Sequence, residues 1–171
     1  MTFARERDMT PIVREWMQAQ GLYVREEIIL CNGYSDLVGV AFNPDMASRR
    51  LARRKDWYPL HDRIVSVELK LSRVGEALRQ AECNLHSVEE SWVAFPLEAA
   101  RRIETSRTRW PVTFGRGVGL LGVLQDSCEV VIPAANDRSS WGYQTAIDHQ
   151  VEKFWRYWRA EQRSLVLGEG A

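Results

Sequence analysis

The sequence predicts an α/β fold, a mixed sheet with helices packed on it, and three observations carry that reading. Asn32-Gly33 stands between two extended apolar runs, a strong hairpin signal because both turn positions need positive φ. A later segment, Ile64 to Leu71, alternates apolar and polar residues from Val65 onward, the period of a strand. Strands come first, then a helix, then another strand, and that order builds a mixed sheet covered by helices.

Each element has its own signal. Thr10 as N-cap, Pro11 in the first helical position and Gly21 as a stop place a first helix from about Thr10 to Gln20. Ile12 and Trp16, with Met17 or Ala19, form its inward stripe. Val24–Cys31 and Ser35–Phe42 are strands paired antiparallel through the Asn-Gly turn. Asn43 to Arg63 carries no regular pattern, and connections of that length in compact domains are often functional. A helix over about Arg73 to Val88 follows the Ile64–Leu71 strand, with Ala77, Leu78, Ala81 and Leu85 as its apolar face. Ser91–Pro96 reads as a buried strand closed by proline, Leu97–Thr105 as a short helix, and Gly117–Leu124 and Cys128–Ile132 as short strands. The tail, about Tyr143 to Arg163, is an amphipathic helix with Ile147, Val151, Phe154, Trp155 and Trp158 on one side.

A chain of 171 residues buries one good core and is short for two, so one domain over 1–171 is expected. Lysine plus arginine equals aspartate plus glutamate, 23 each, so net charge decides nothing about a nucleic-acid partner. No apolar run approaches the roughly 20 residues that span a bilayer. The first residues are charged where a signal peptide would be apolar, so the expected location is cytoplasmic. Cys31, Cys83 and Cys128 lack the short spacings of zinc or redox motifs and read as free thiols.

The chemistry lies in Glu68-Leu69-Lys70 at the end of one strand and Asp36 at the start of an earlier one. Side chains alternate along a strand, so Glu68 and Lys70 share a face and Leu69 points the other way. Pairing Asp36 opposite Lys70 sets Val38 opposite Glu68 and puts Asp36, Glu68 and Lys70 on one face. The other face then holds Leu37, Gly39 and Ala41 against Val65, Val67 and Leu69. Two converging carboxylates repel, and a divalent cation removes the conflict. Oxygen ligands without Cys or His point to magnesium or manganese. Such an ion polarises a phosphoryl oxygen and lowers the pKa of a bound water. Lys70 beside it is placed to orient or deprotonate that water, or to neutralise charge on phosphorus. Hydrolysis of a phosphodiester is the reaction that suits the trio.

At these residues the sequence resembles the PD-(D/E)XK nuclease superfamily, the restriction-endonuclease-like fold. Asp36 matches the motif's aspartate, with Ser35 in place of the preceding proline, and Glu68 and Lys70 match its Glu-x-Lys half. In wording the chain is similar to a small branch of that superfamily. Here the branch motifs are Glu6 with Pro11-Ile12-Val13, Val67-Glu68-Leu69-Lys70, Gln80-Ala81, Val93-Ala94-Phe95-Pro96 and Gly117-Val118-Gly119-Leu120-Leu121. The resemblance covers roughly Glu6 to Pro133. It implies an αβββαβ core with extra C-terminal strands and a helix. It also implies Glu6 as an accessory acid near the metal, Gln80 as a supporting residue, and the Leu69 carbonyl as a further ligand. Implied products are a 5′-phosphate and a 3′-hydroxyl, with DNA favoured over RNA.

The expected function is therefore a magnesium- or manganese-dependent nuclease using Asp36, Glu68, Lys70 and Gln80. The alternatives are a nuclease-fold protein that binds or scaffolds nucleic acid without useful turnover, and a hydrolase of small nucleotides. Arg49, Arg50, Arg53, Arg54 and Lys55, the densest basic cluster, are expected to contact phosphates. The spacing of Phe154, Trp155, Tyr157 and Trp158 favours core packing or a homodimer seam over base stacking. His61, His86 and His149 do not read as ligands.

Overall fold

The computed structural model describes residues 3–30, 33–42, 61–135 and 144–168. A 3-10 turn over Glu6–Met9 runs into α1 (Thr10–Gln18). The hairpin β1 (Tyr23–Leu30) and β2 (Gly33–Phe42) and the strand β3 (His61–Leu69) follow. After them come α2 (Val74–Asn84), β4 (Glu90–Pro96), α3 (Leu97–Thr105), α4 (Pro111–Gly115), β5 (Gly119–Val123), β6 (Cys128–Ile132) and α5 (Gln144–Gly168). The six strands form one sheet in the order β1-β2-β3-β4-β5-β6. Pairing is antiparallel from β1 to β3, parallel from β3 to β5, and antiparallel again at β6. The expected mixed α/β sheet and the order helix, three strands, helix, strand are both present. Among the described residues no helix is long and apolar enough to cross a membrane.

Three apolar clusters hold the layers together. On one face α1 buries Val13 and Met17, with Met9 before them, against Leu37, Val65, Val67 and Leu69. Gly39 lets the helix come close, since a Cβ there would lie 2.9 Å from Met17 Cε and 3.0 Å from Leu22 Cβ. On the other face α5 sets Ile147, Val151, Phe154 and Trp155 on Val38, Val40 and Ile64. Beside it α2 and α3 cover Val93, Phe95 and Leu120 with Ala77, Leu78, Ala81, Ala100 and Ile103.

Several expectations need correction. Thr10 does not cap α1, because the 3-10 turn continues directly into it and Thr10 is already helical. The chain enters instead at Arg5, whose N–H donates to the Asp8 carboxylate at 2.9 Å. The inward stripe is Met9, Val13 and Met17, spaced by four; Ile12 and Trp16 flank it and Ala19 is exposed. The β2–β3 register also differs. Leu37 pairs with Val67, Val38 with Ser66 and Gly39 with Val65, which brings Asp36 level with Glu68 rather than Lys70. Alternation fixes a register only to within two residues, since a slip of two returns each side chain to the same face. Phe154 and Trp155 lie in the chain's own core, with Tyr157 and Trp158 packed on it. That is the core packing which the helical spacing favours. Cys83 and Cys128 are free thiols as expected, while Cys31 and Asn32 lie outside the described residues.

One irregularity leads to the site. Val24 packs in the α1 cluster, yet Ile28 and Leu30, an even number of residues on, pack in the α5 cluster. The strand changes faces at Glu27, which adopts a left-handed φ of 51°. Pairing holds on either side, Glu26 with Leu37 and Ile28 with Ser35, so Glu27 stands level with Asp36. Both strands of the hairpin bend at this row.

Candidate active site

Asp36 sits at that bend, on the edge of the β2–β3 ladder. Its side chain is 41% exposed, and its Oδ2 accepts the backbone N–H of Leu69 at 2.7 Å. In a continued ladder that donor would address the β2 backbone; here a side-chain carboxylate takes it, and the ladder's last pair is Leu37 with Val67. One residue on, the Lys70 N–H donates to the Ala94 carbonyl of β4 at 3.0 Å. The C-terminal end of β3 thus stays with β4 while parting from β2.

Lys70 fills the resulting corner. Its Nζ lies 3.7 Å from Asp36 Oδ2 and 3.9 Å from Glu6 Oε2. Glu6 is delivered by the 3-10 turn before α1, and its Oε1 accepts the Leu71 N–H at 3.3 Å. The acid ahead of the first helix therefore reaches Lys70 from across 64 residues of chain. Its partners are Lys70 and Leu71.

Glu68 lies beneath, 1% exposed. Its Oε1 accepts from Asn84 Nδ2 at 2.7 Å, and the buried Ser35 hydroxyl, which donates to the Leu37 carbonyl at 3.3 Å, also lies by it and helps to hold its charge. Burial, and after it the nearby charge of Asp36, push the Glu68 carboxyl up to about 7; Asn84, Ser35 and Lys70 oppose the rise. Asp36 and Glu68 come from adjacent strands at one level, and the charge of Asp36 adds to the rise at Glu68.

The other expected residues stand differently. Gln80 lies on α2 one turn before Asn84, and its Oε1 is buried with no hydrogen-bond partner. Leu69 closes β3 with its side chain in the α1 cluster. Arg49, Arg50, Arg53, Arg54 and Lys55 lie outside the described residues. Asn84 and Ser35, the two partners of Glu68, were not singled out from sequence. A signal for Asn84 was present: with Ala77 and Ala81 it continues the buried stripe of α2 at helical spacing, and a carboxamide there requires a partner.

A divalent cation suits this corner in ligand chemistry, because two oxygen acids stand level on neighbouring strands and the charge of Asp36 raises the Glu68 carboxyl. Among the described residues there is no group of three or more His, Cys, Asp or Glu side chains placed to hold a metal. A cation here would therefore take Asp36 and Glu68 as its charged ligands and complete its shell with backbone or water oxygens.

No family model and no curated protein matches the chain. A solved structure of a protein of unknown function from Silicibacter pomeroyi is similar in fold, with a TM-score of 0.58 and 17% identity. The match covers 100% of this chain and 97% of that one. At that identity the likeness concerns the fold, a six-stranded mixed sheet with its helices in two layers.

Proposed function

We propose that the chain is a magnesium- or manganese-dependent nuclease that hydrolyses phosphodiester bonds, with DNA as its polymer. The observation that carries the reading is the corner where β2 and β3 part: Asp36 holds the Leu69 N–H and faces Lys70, and Glu68 lies close enough for its proton affinity to respond to Asp36. When bound, the cation would polarise the phosphoryl oxygen and lower the pKa of the attacking water. Asp36 and Glu68 would hold it, with the Leu69 carbonyl or water completing its shell, while Glu6 stays with Lys70 and the Leu71 N–H. Lys70, restrained between two carboxylates, keeps a positive charge beside the scissile phosphate and orients the water. Arg49, Arg50, Arg53, Arg54 and Lys55 supply phosphate contacts in this reading.

A second reading, a nucleic-acid-binding or scaffold protein without turnover, draws support from the complete burial of Glu68 and the two-acid ligand set. One assay separates them: purified protein with magnesium or manganese against linear and circular, single- and double-stranded DNA and RNA. Cleavage is expected of at least one DNA form, and should fall by about 100-fold or more in Asp36→Asn and Lys70→Gln. Asp36→Asn retains an acceptor for the Leu69 N–H, so its melting temperature should stay near wild type. Undiminished cleavage in EDTA, or none with any polymer, would overturn the nuclease reading.

A further inference from the structure

Between the α5 and α2–α3 clusters runs a strip of buried polar side chains. Ser66 and Ser91 hydrogen-bond across β3 and β4 at 3.0 Å, and Ser35, Glu68 and Asn84 continue the strip toward the sheet's end. All five are at most 6% exposed. A carboxylate withdrawn this far from water is costly unless its oxygens are bonded, so its donors determine how it is held.

Asn84 is the donor fixed by distance, 2.7 Å from Glu68 Oε1, and it is the last residue of α2. Ala77 and Ala81, on the same side of that helix, are fully buried. Such small residues let the helix approach the sheet closely enough for a short carboxamide to reach Glu68. Pinning one oxygen of a carboxylate stops rotation about its last side-chain bond and leaves the other oxygen for a further partner. A neutral donor does so without adding positive charge. A lysine or arginine in its place would pair with Glu68 and compete with a cation for it.

We propose that Asn84 is a positioning residue, one that fixes the orientation in which the Glu68 carboxylate meets a divalent cation. This deepens the metal-dependent reading and rests on it. Hydrogen-bonding partners of metal ligands commonly govern about 10- to 100-fold in metal affinity. A residue needed only for packing would not act through Glu68.

The test is a calorimetric titration of the full chain with Mn2+ at alkaline pH. Wild type, Asn84→Leu and Asn84→Ser are compared, each alone and combined with Glu68→Gln. Wild type should bind Mn2+, and both Asn84 variants should bind about tenfold more weakly. Within the Glu68→Gln background the same changes should alter affinity by no more than about twofold. Asn84→Ser adds no bulk and carries the expectation if the leucine variant fails to fold. Equal Mn2+ affinity in wild type and a folded Asn84 variant overturns the positioning role and leaves the nuclease reading standing. An undiminished loss in the Glu68→Gln background makes Asn84 a packing residue and also overturns it. A wild-type chain that binds no Mn2+ overturns both.

Discussion

Glu68 is a carboxyl group held out of water next to a second acid, and its stability consequence can be signed. Its proton affinity in the folded chain corresponds to a pKa of about 7, above the ordinary glutamate range. The folded state then binds more protons than the unfolded state between those values, so stability is full below the ordinary glutamate range and is lost as pH rises through about 7. A shift of this size is worth roughly 3 kcal/mol. Urea unfolding free energies measured without divalent ions should therefore fall by that order between about pH 4 and pH 8. Glu68→Gln should flatten the decline, and a variant curve as steep as wild type would place the lost protons elsewhere. At this scale the sequence disclosed the charged trio, because strand alternation and the Glu-x-Lys spacing are written in it. It did not disclose Ser35 and Asn84 as partners of Glu68. Those contacts depend on how α2 crosses β3, which no spacing in one segment specifies. Glu6 is legible as an acid ahead of the first helix, but its attachment to Lys70 and Leu71 follows from the 3-10 turn, which is too short to carry a repeating pattern.

The hairpin β1–β2 shows how an element, rather than a residue, aims Asp36. Glu27 lies level with Asp36 and takes a left-handed backbone that costs a side-chain-bearing residue about 1 kcal/mol. The bend sends Ile28 and Leu30 to the α5 face and leaves Asp36 at the ladder's edge, free to take the Leu69 N–H. Glu27→Gly should raise stability by about 0.5–1 kcal/mol in denaturant unfolding, since glycine adopts this φ without the Cβ clash. Glu27→Val should lower it, and the opposite ranking would mean that the bend is not strained. No turn residue marks this position, so a regular alternating strand was the natural reading of Val24–Cys31. Most element positions were legible, because caps, breakers and periodicity are local. The 3-10 turn and α4 were not, being short and lacking a repeating apolar pattern. In α5 the aromatic stripe was legible as buried, and the partners it finds are distant ones. Phe42 packs edge-on to Trp155 at 5.4 Å, Tyr23 meets Phe154 at 6.3 Å, and Arg25 pairs with Glu161 and lies 4.9 Å over Tyr157. The helix thereby braces the hairpin that carries Asp36.

Across the whole molecule, the site occupies β3, which like β5 pairs antiparallel on one side and parallel on the other. At its C-terminal end β3 leaves β2 and stays with β4, and in open α/β sheets such carboxyl ends are where crevices form. Glu6 arrives from the layer containing α1, Asn84 from the layer containing α2, and Asp36 and Glu68 from the sheet between them. A cation bound by the two sheet acids would stabilise the folded arrangement alone, because unfolding separates its ligands. Binding only to the folded state adds about 2.7 kcal/mol at a metal concentration 100 times the dissociation constant. For a chain of this size that corresponds to a rise of roughly 5–10 °C in melting temperature. Asp36→Asn removes one of the two charged ligands and should abolish most of the Mn2+-induced rise. Lys70→Gln removes an ammonium that lies 3.7 Å from Asp36 and so competes with the cation for it; its rise should equal or exceed that of wild type, although cleavage is lost. The two variants therefore separate ion binding from turnover. If the Mn2+-induced rise is the same in wild type and Asp36→Asn, the ion binds away from this corner, and the strands that part around Lys70 are a structural feature only.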